Sequence, residues 1–166
     1  LGAIVRLLDL APHPEGGFYK ETYRSTEVVA REALPPRFGG PRAASTAIYF
    51  LLPRGSFSAL HRIASDEVWH HYAGAPLEVI ALMPDGRREE LRLGADLVGG
   101  ERPQGVVTAG AWFGSRIPAD AAGGWSLVGC TVAPGFDFAD FELGGRDALL
   151  ARFPAHTDIV RVLTRA

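Results

Sequence analysis

Cysteine is almost missing from this chain: Cys130 stands alone, so no internal disulfide can form and stability must come from a packed core. No run of 18 apolar residues and no signal-peptide pattern occurs, which excludes a membrane helix and suggests a reducing, cytoplasmic setting. Charge of one sign is also lacking. The formal net charge is -2, and arginines are scattered rather than clustered, so there is no basic stripe to follow a phosphate backbone. Neither nucleic acid nor membrane is an expected partner. There is no internal repeat and no low-complexity segment.

What is present describes an ordinary globular chain. It has 166 residues, 47% of them hydrophobic and 22% charged, which fits one domain over residues 1–166. It opens on Leu1 rather than Met, so a few preceding residues are expected. The 20 glycines and 12 prolines punctuate short apolar runs, the pattern of many strands joined by tight turns. Ile4, Val5, Leu7 and Leu8 recur at helical spacing before Pro12 and predict a short first helix. A bend is expected at His13 to Gly17, then a strand from Phe18 to Arg24. Alternation along that strand puts Lys20, Thr22 and Arg24 on one face and Tyr19, Glu21 and Tyr23 on the other. Residues 31–43 read as loop. Further strands are predicted over 46–52, 56–63, 67–73, 77–83, 89–93, 106–109 and 125–132, with Pro84-Asp85-Gly86-Arg87 as a hairpin turn. Helical spacing returns over 147–153 and near Ile159, Val160 and Leu163. The fold class is therefore all-β, an antiparallel sandwich or barrel with short terminal helices.

The densest signal lies between Gly55 and Gly74. Five residues separate Gly55 from His61; Glu67 falls four positions beyond residue 63, and Gly74 follows after six more. This spacing resembles the first cupin motif, in which a second His stands where this chain has Ile63. A narrower resemblance, to the cupin group long listed as a domain of unknown function, rests on PHPEGGFYKETYRS at 12–25, AIYFLL at 47–52, HRIASDEVWHHYAG at 61–74, LMPDGR at 82–87 and LVGCTVAPGFDFADFEL at 127–143. The resemblance implies a jelly-roll (double-stranded β-helix) barrel, a homodimer, and kinship in fold to dTDP-sugar 3,5-epimerases. It also exposes a departure downstream, where Thr108 stands at the proline position and Phe113 at the His-ligand position of the second motif.

Two metal ligands of the motif, His61 and Glu67, therefore remain. A divalent site needs a third donor, and alternation from Glu67 makes His71 the simplest one, with His70 exchanging places if the strand carries a bulge. No cofactor is required in the favoured reading. There, His61 is a general base held by Glu67, with His70 assisting, in an isomerase or epimerase acting on a sugar-like or carbonyl-bearing small molecule. Trp69, Trp112, Phe113 and Arg24 are the candidate ligand contacts, Arg24 for a carboxylate or phosphate. Phe50 and Phe57 are further candidates to line the barrel. The alternatives are a non-catalytic binding barrel, a metal-dependent oxygenase, and a His61–Glu67 pair that only satisfies itself in the core. Cys130 reads as an inert core thiol. Asp137, Asp140 and Glu142, interleaved with Phe136, Phe138 and Phe141, read as alternating strand positions.

Overall fold

Short strands with one apolar face bury it only by facing a second sheet, and this chain builds two such sheets. The computed structural model describes residues 1–165. In order the elements are α1 (Gly2–Leu7), β1 (Ala11–Pro12), β2 (Phe18–Arg24), β3 (Val28–Val29), β4 (Arg42–Ala43), β5 (Thr46–Pro53), β6 (Phe57–Arg62), β7 (Asp66–Gly74), β8 (Leu77–Leu82), β9 (Arg88–Leu93), β10 (Gln104–Val107), β11 (Trp112–Arg116), β12 (Trp125–Ala133), β13 (Glu142–Leu143), α2 (Arg146–Arg152) and α3 (Thr157–Val162). One sheet runs β1-β2-β5-β12-β7-β10 and the other β13-β6-β11-β8-β9, with every pairing antiparallel; β3 and β4 form a separate ribbon. This is the jelly-roll arrangement expected. No helix among the described residues is long and apolar enough to cross a membrane.

The core lies between the inner faces, where Phe50, Leu52, Trp69, Leu77, Val79, Phe113 and Val128 pack together. A second cluster covers the outside of the five-stranded sheet: Leu60, Ile80, Leu82 and Trp112 meet Leu149, Phe153, Ile159, Val160 and Leu163 from the C-terminal helices. Each such side chain, fully buried, contributes about 1.5–3 kcal/mol. Trp112 thus faces the helices, with the Arg62 guanidinium over its ring, and is not a ligand contact inside the barrel. The strand β11 that carries it was not expected from the sequence. Three small or polar residues, Gly110, Gly114 and Ser115, interrupt its apolar pattern. Helix α1 forms where predicted, but it buries none of its residues, and Leu7 is 83% exposed.

Three bulges decide which side chains look inward, one of them in β6 between Ser58 and His61 against β11. In β2 the register slips between Glu21 and Tyr23, so Thr22 absorbs one residue and Arg24 turns to the same side as Tyr19 and Glu21. Simple alternation placed them apart. In β7 a slip at Tyr72 follows the pairing of His71 with Val128.

The bend before β2 is fastened to β6. The Ala59 N–H donates to the Glu15 carbonyl (2.8 Å), and the His13 N–H donates to the Gly17 carbonyl (3.1 Å). Gly16 has φ +119°, and a Cβ there would lie 2.3 Å from the Phe57 carbonyl oxygen, so only glycine lets the two backbones approach. Gly16→Ala is expected to destabilise the fold by about 1–3 kcal/mol. Gly86→Ala has the same sign of φ but open space around its Cβ, and should cost less. Urea unfolding of the two variants, compared with the wild type, checks this; equal losses would show that close approach at Gly16 is unimportant.

Candidate functional site

The inner face of the six-stranded sheet, the bend before β2 and the segment before β13 enclose a cavity of about 470 Å³. Cross-strand register builds its floor. One inward row runs Arg24, Thr46, Val132, Glu67 across β2, β5, β12 and β7, and the next runs Glu21, Ile48, Cys130, Trp69. The bend contributes His13 and Glu15, β6 contributes His61, and Ile63 lies just beyond it. Phe136, Phe138 and Phe141 form an aromatic wall. They belong to a turn of 3₁₀ helix (Phe138–Asp140) and its flanks, not to an alternating strand. The turn is held by the Asp137 side chain, which accepts from the Ala139 N–H, and by the bidentate pair of Arg42 with Asp140.

The partner of His61 is Glu15, not Glu67. His61 Nε2 lies 2.9 Å from Glu15 Oε2, and its Nδ1 donates to the Ala59 carbonyl at 2.8 Å. The Ser58 hydroxyl donates to the other Glu15 oxygen at 2.8 Å. Glu15 and His61 are 5% and 3% exposed. Burial disfavours charge on both, yet their mutual attraction outweighs it. Glu15 is held below the usual carboxylate range by the His61 charge and the hydrogen bonds from His61 and Ser58, and His61 is raised by Glu15. The result is a buried imidazolium–carboxylate pair.

Glu67 has no such compensation. Burial pushes its carboxyl up, the positive charge of His61 pulls it back in part, and it settles at about 7. Its inward neighbour on β12 is Cys130, whose thiol burial and the Glu67 charge keep protonated. Cys130 is therefore part of the cavity wall beside a titrating carboxyl, not a remote core thiol. His13 also differs. Burial, reinforced by the His61 charge and only partly offset by Glu15, holds its imidazole below the ordinary range and so neutral.

Other candidates disperse. His70 points to the outer face of its sheet, where Nε2 meets Thr131 Oγ1 (3.1 Å) and Nδ1 meets the Gln104 amide (3.3 Å), so it does not reach His61. His71 pairs with inward-facing Val128, but its Nε2 bonds to the Ala75 carbonyl (3.0 Å), and it stands four residues, about 13 Å, along β7 from Glu67. Trp69 and Phe113 are core residues behind the cavity; the Phe113 ring packs 4.2 Å from the His61 ring. Arg24 does line the cavity, with its guanidinium engaged by both Glu21 oxygens (3.0 and 2.7 Å) and the Phe136 carbonyl (3.1 Å).

A jelly-roll with a titrating carboxyl at this register position meets its relatives here. The family model described as "Cupin superfamily (DUF985)" matches residues 2–144. The chain belongs to the cupin superfamily. It is 36% identical to a hypothetical protein from Leishmania major, with a TM-score of 0.90 over 99% of this chain and 98% of that one. Protein SO0799 from Shewanella oneidensis is 42% identical, with a TM-score of 0.85 over 98% and 96%. The uncharacterized protein YML079W of Saccharomyces cerevisiae is 33% identical over 84% of this chain and 73% of its own.

The residues of this cupin do not fit the divalent-metal site that the motif implies. Ile63 and Phe113 fill two donor positions with apolar side chains, both His61 nitrogens are engaged, and His71 lies farther along β7, bonded to the Ala75 carbonyl. Among the described residues no three His, Cys, Asp or Glu side chains gather as a metal-binding group.

The raised Glu67 carboxyl has a stability signature. Its folded value lies above the ordinary 4.5, at about 7, so the folded state holds the proton more tightly than the unfolded chain. Stability is complete below about pH 4.5 and falls as pH rises through 7, by about 3 kcal/mol at about 1.4 kcal/mol per pH unit. Glu67→Gln, which mimics the protonated form, should therefore be more stable than the wild type at pH ~8 and indistinguishable at pH ~4. Urea midpoints at the two pH values check this; a gain that does not depend on pH would contradict the assignment.

Proposed function

We propose that this cupin is a small-molecule isomerase or epimerase that moves a proton next to a carbonyl group without a metal. The observation that carries the reading is Glu67: a buried carboxyl facing a cavity and titrating at about 7. A group poised there both accepts and returns a proton at neutral pH. His61 was expected to be the base. Its imidazolium already holds protons on both nitrogens, so in this reading Glu67 takes the base role and His61 supplies fixed positive charge.

The chemistry balances without an oxidant. The Glu67 carboxylate takes a proton from the carbon beside the carbonyl, and the C–H electron pair forms the enol double bond as the carbonyl π pair moves to oxygen. Return of the proton to the opposite face inverts the carbon; return to the neighbouring carbon moves the carbonyl. Phe136, Phe138 and Phe141 give the intermediate an apolar wall. Arg24, at the same inward row as Glu67, supports binding of an anionic substituent on the ligand. The homodimer implied by the family belongs to this reading as well, supported by Tyr23, Tyr72 and Val106 exposed on the outside of the six-stranded sheet. Light scattering that returned the monomer mass would remove that part.

The test of the chemistry is solvent exchange. Purified protein is incubated in D₂O with a panel of aldoses, ketoses and smaller hydroxy-ketones, and loss of the C–H signal beside each carbonyl is followed by proton NMR. At least one class should exchange, and Glu67→Gln should slow that exchange about 10²-fold or more. Panel members that bind with no exchange would instead support the non-catalytic binding barrel.

A further inference from the structure

We propose that His13 is a second catalytic group of this cavity, holding the carbonyl oxygen of the ligand through its Nε2–H. The substrates are then small hydroxy-carbonyl compounds that pass through a planar enediol. The proposal rests on the proton-transfer reading of Glu67 and adds the electrophile which that reading lacks.

Geometry sets the tautomer. The Glu15 backbone N–H points at His13 Nδ1 from 3.4 Å, which makes Nδ1 an acceptor and leaves the ring proton on Nε2. The ring itself is fixed by neighbours: Tyr19 meets it edge-on at 4.5 Å, Phe50 edge-on at 6.2 Å, Phe141 edge-on at 6.1 Å, and Phe138 lies nearly parallel at 6.2 Å. Among the described residues nothing bonds Nε2, and His13 lines the cavity. An ordered donor without a protein partner, facing a cavity, is spare for a ligand oxygen.

Burial keeps this imidazole uncharged, with the His61 charge adding to that effect and Glu15 opposing it. Glu15 Oε2 lies 2.9 Å from His61 Nε2 and 3.5 Å from His13 Nδ1, so one carboxylate faces two imidazoles, and the closer one takes the proton. Glu21, Asp137 and the cationic Arg24 line the same cavity, and Arg24 is bound to Glu21. A neutral N–H donor stabilises the oxygen mainly as negative charge develops on it. Glu67 and His13 thus divide the work: one takes the proton from carbon and the other steadies the oxygen that receives the electrons.

Glycolohydroxamate, whose flat anion copies an enediol, is the probe, used in chelator-treated buffer so that no metal mediates binding. Long-range ¹H–¹⁵N NMR of the full chain should show His13 as the neutral Nε2–H tautomer across neutral pH, with its Nε2 signal moving on titration. Affinity should fall about tenfold in His13→Phe, the effect of one hydrogen bond, and recover in His13→Gln, whose amide N–H can occupy the place of Nε2–H. A free-protein Nδ1–H tautomer overturns the assignment even if the Phe variant does not fold. Weaker binding in Glu67→Ala with none in His13→Phe would also overturn it while leaving the Glu67 reading intact, and failure of the wild type to bind the probe would sink both.

Discussion

Everything distinctive in the cavity depends on the buried pair of His61 and Glu15. Taking an imidazolium and a carboxylate out of water costs several kcal/mol per ion, and their attraction repays this only with good geometry and further hydrogen bonds. Here Ser58 and the Ala59 carbonyl supply those bonds. An apolar pair of the same volume would serve stability as well or better, so the pair's consequence lies in what its charge does nearby. Its His61 charge adds to the burial that keeps His13 neutral and opposes the rise of Glu67, while its Glu15 charge acts the other way on both. The pair exists because the bend at Gly16 and Gly17 lies against the β5 and β6 backbones, which brings an acidic residue from the start of the chain into the barrel.

The apolar side chains at two donor positions and the raised Glu67 carboxyl belong together. Donors at positions 63 and 113 would surround Glu67 with a cation and hold it ionised. Ile63 and Phe113 instead lower the local polarity, and Phe113 also presses on the His61 ring. A carboxyl left on that inner row must then carry its own desolvation. Burial drives its rise to about 7, with the Glu15 charge adding to it.

The sequence carried the fold well and the site only in part. Period-two apolar runs, the Asp85-Gly86 turn and the motif spacing each have a local physical cause, so the strands and the family were legible. The spacing also placed His61 and Glu67 on inner faces correctly. What it concealed was partnership, because β6 and β7 lie in different sheets and Glu15 arrives from a bend whose position depends on backbone contact with β6. The string PHPEGG did hold the clue: two adjacent glycines beside a His and a Glu mark a place where the backbone must come close to something. Arg24 was mis-faced because alternation has no signal for the Thr22 bulge, and His70 and His71 were weighed as rivals although the pleat turns one outward and carries the other beyond the cavity.

The resulting charge inventory constrains what can occupy the cavity. The His61–Glu15 pair contributes no net charge, Arg24 is offset by Glu21, and His13 is neutral, so Asp137 and Glu67 are left to set the sign. Crossing neutral pH adds one negative charge deep inside while the mouth stays unchanged. A ligand whose reacting end is uncharged meets a protonated Glu67 below that point and a base above it, without a penalty for its own burial. An anion placed deep is tolerated while Glu67 holds its proton and is repelled by the carboxylate. The site is therefore matched to neutral carbonyl compounds at its reacting end, with any anionic substituent directed outward along the inward row toward Arg24.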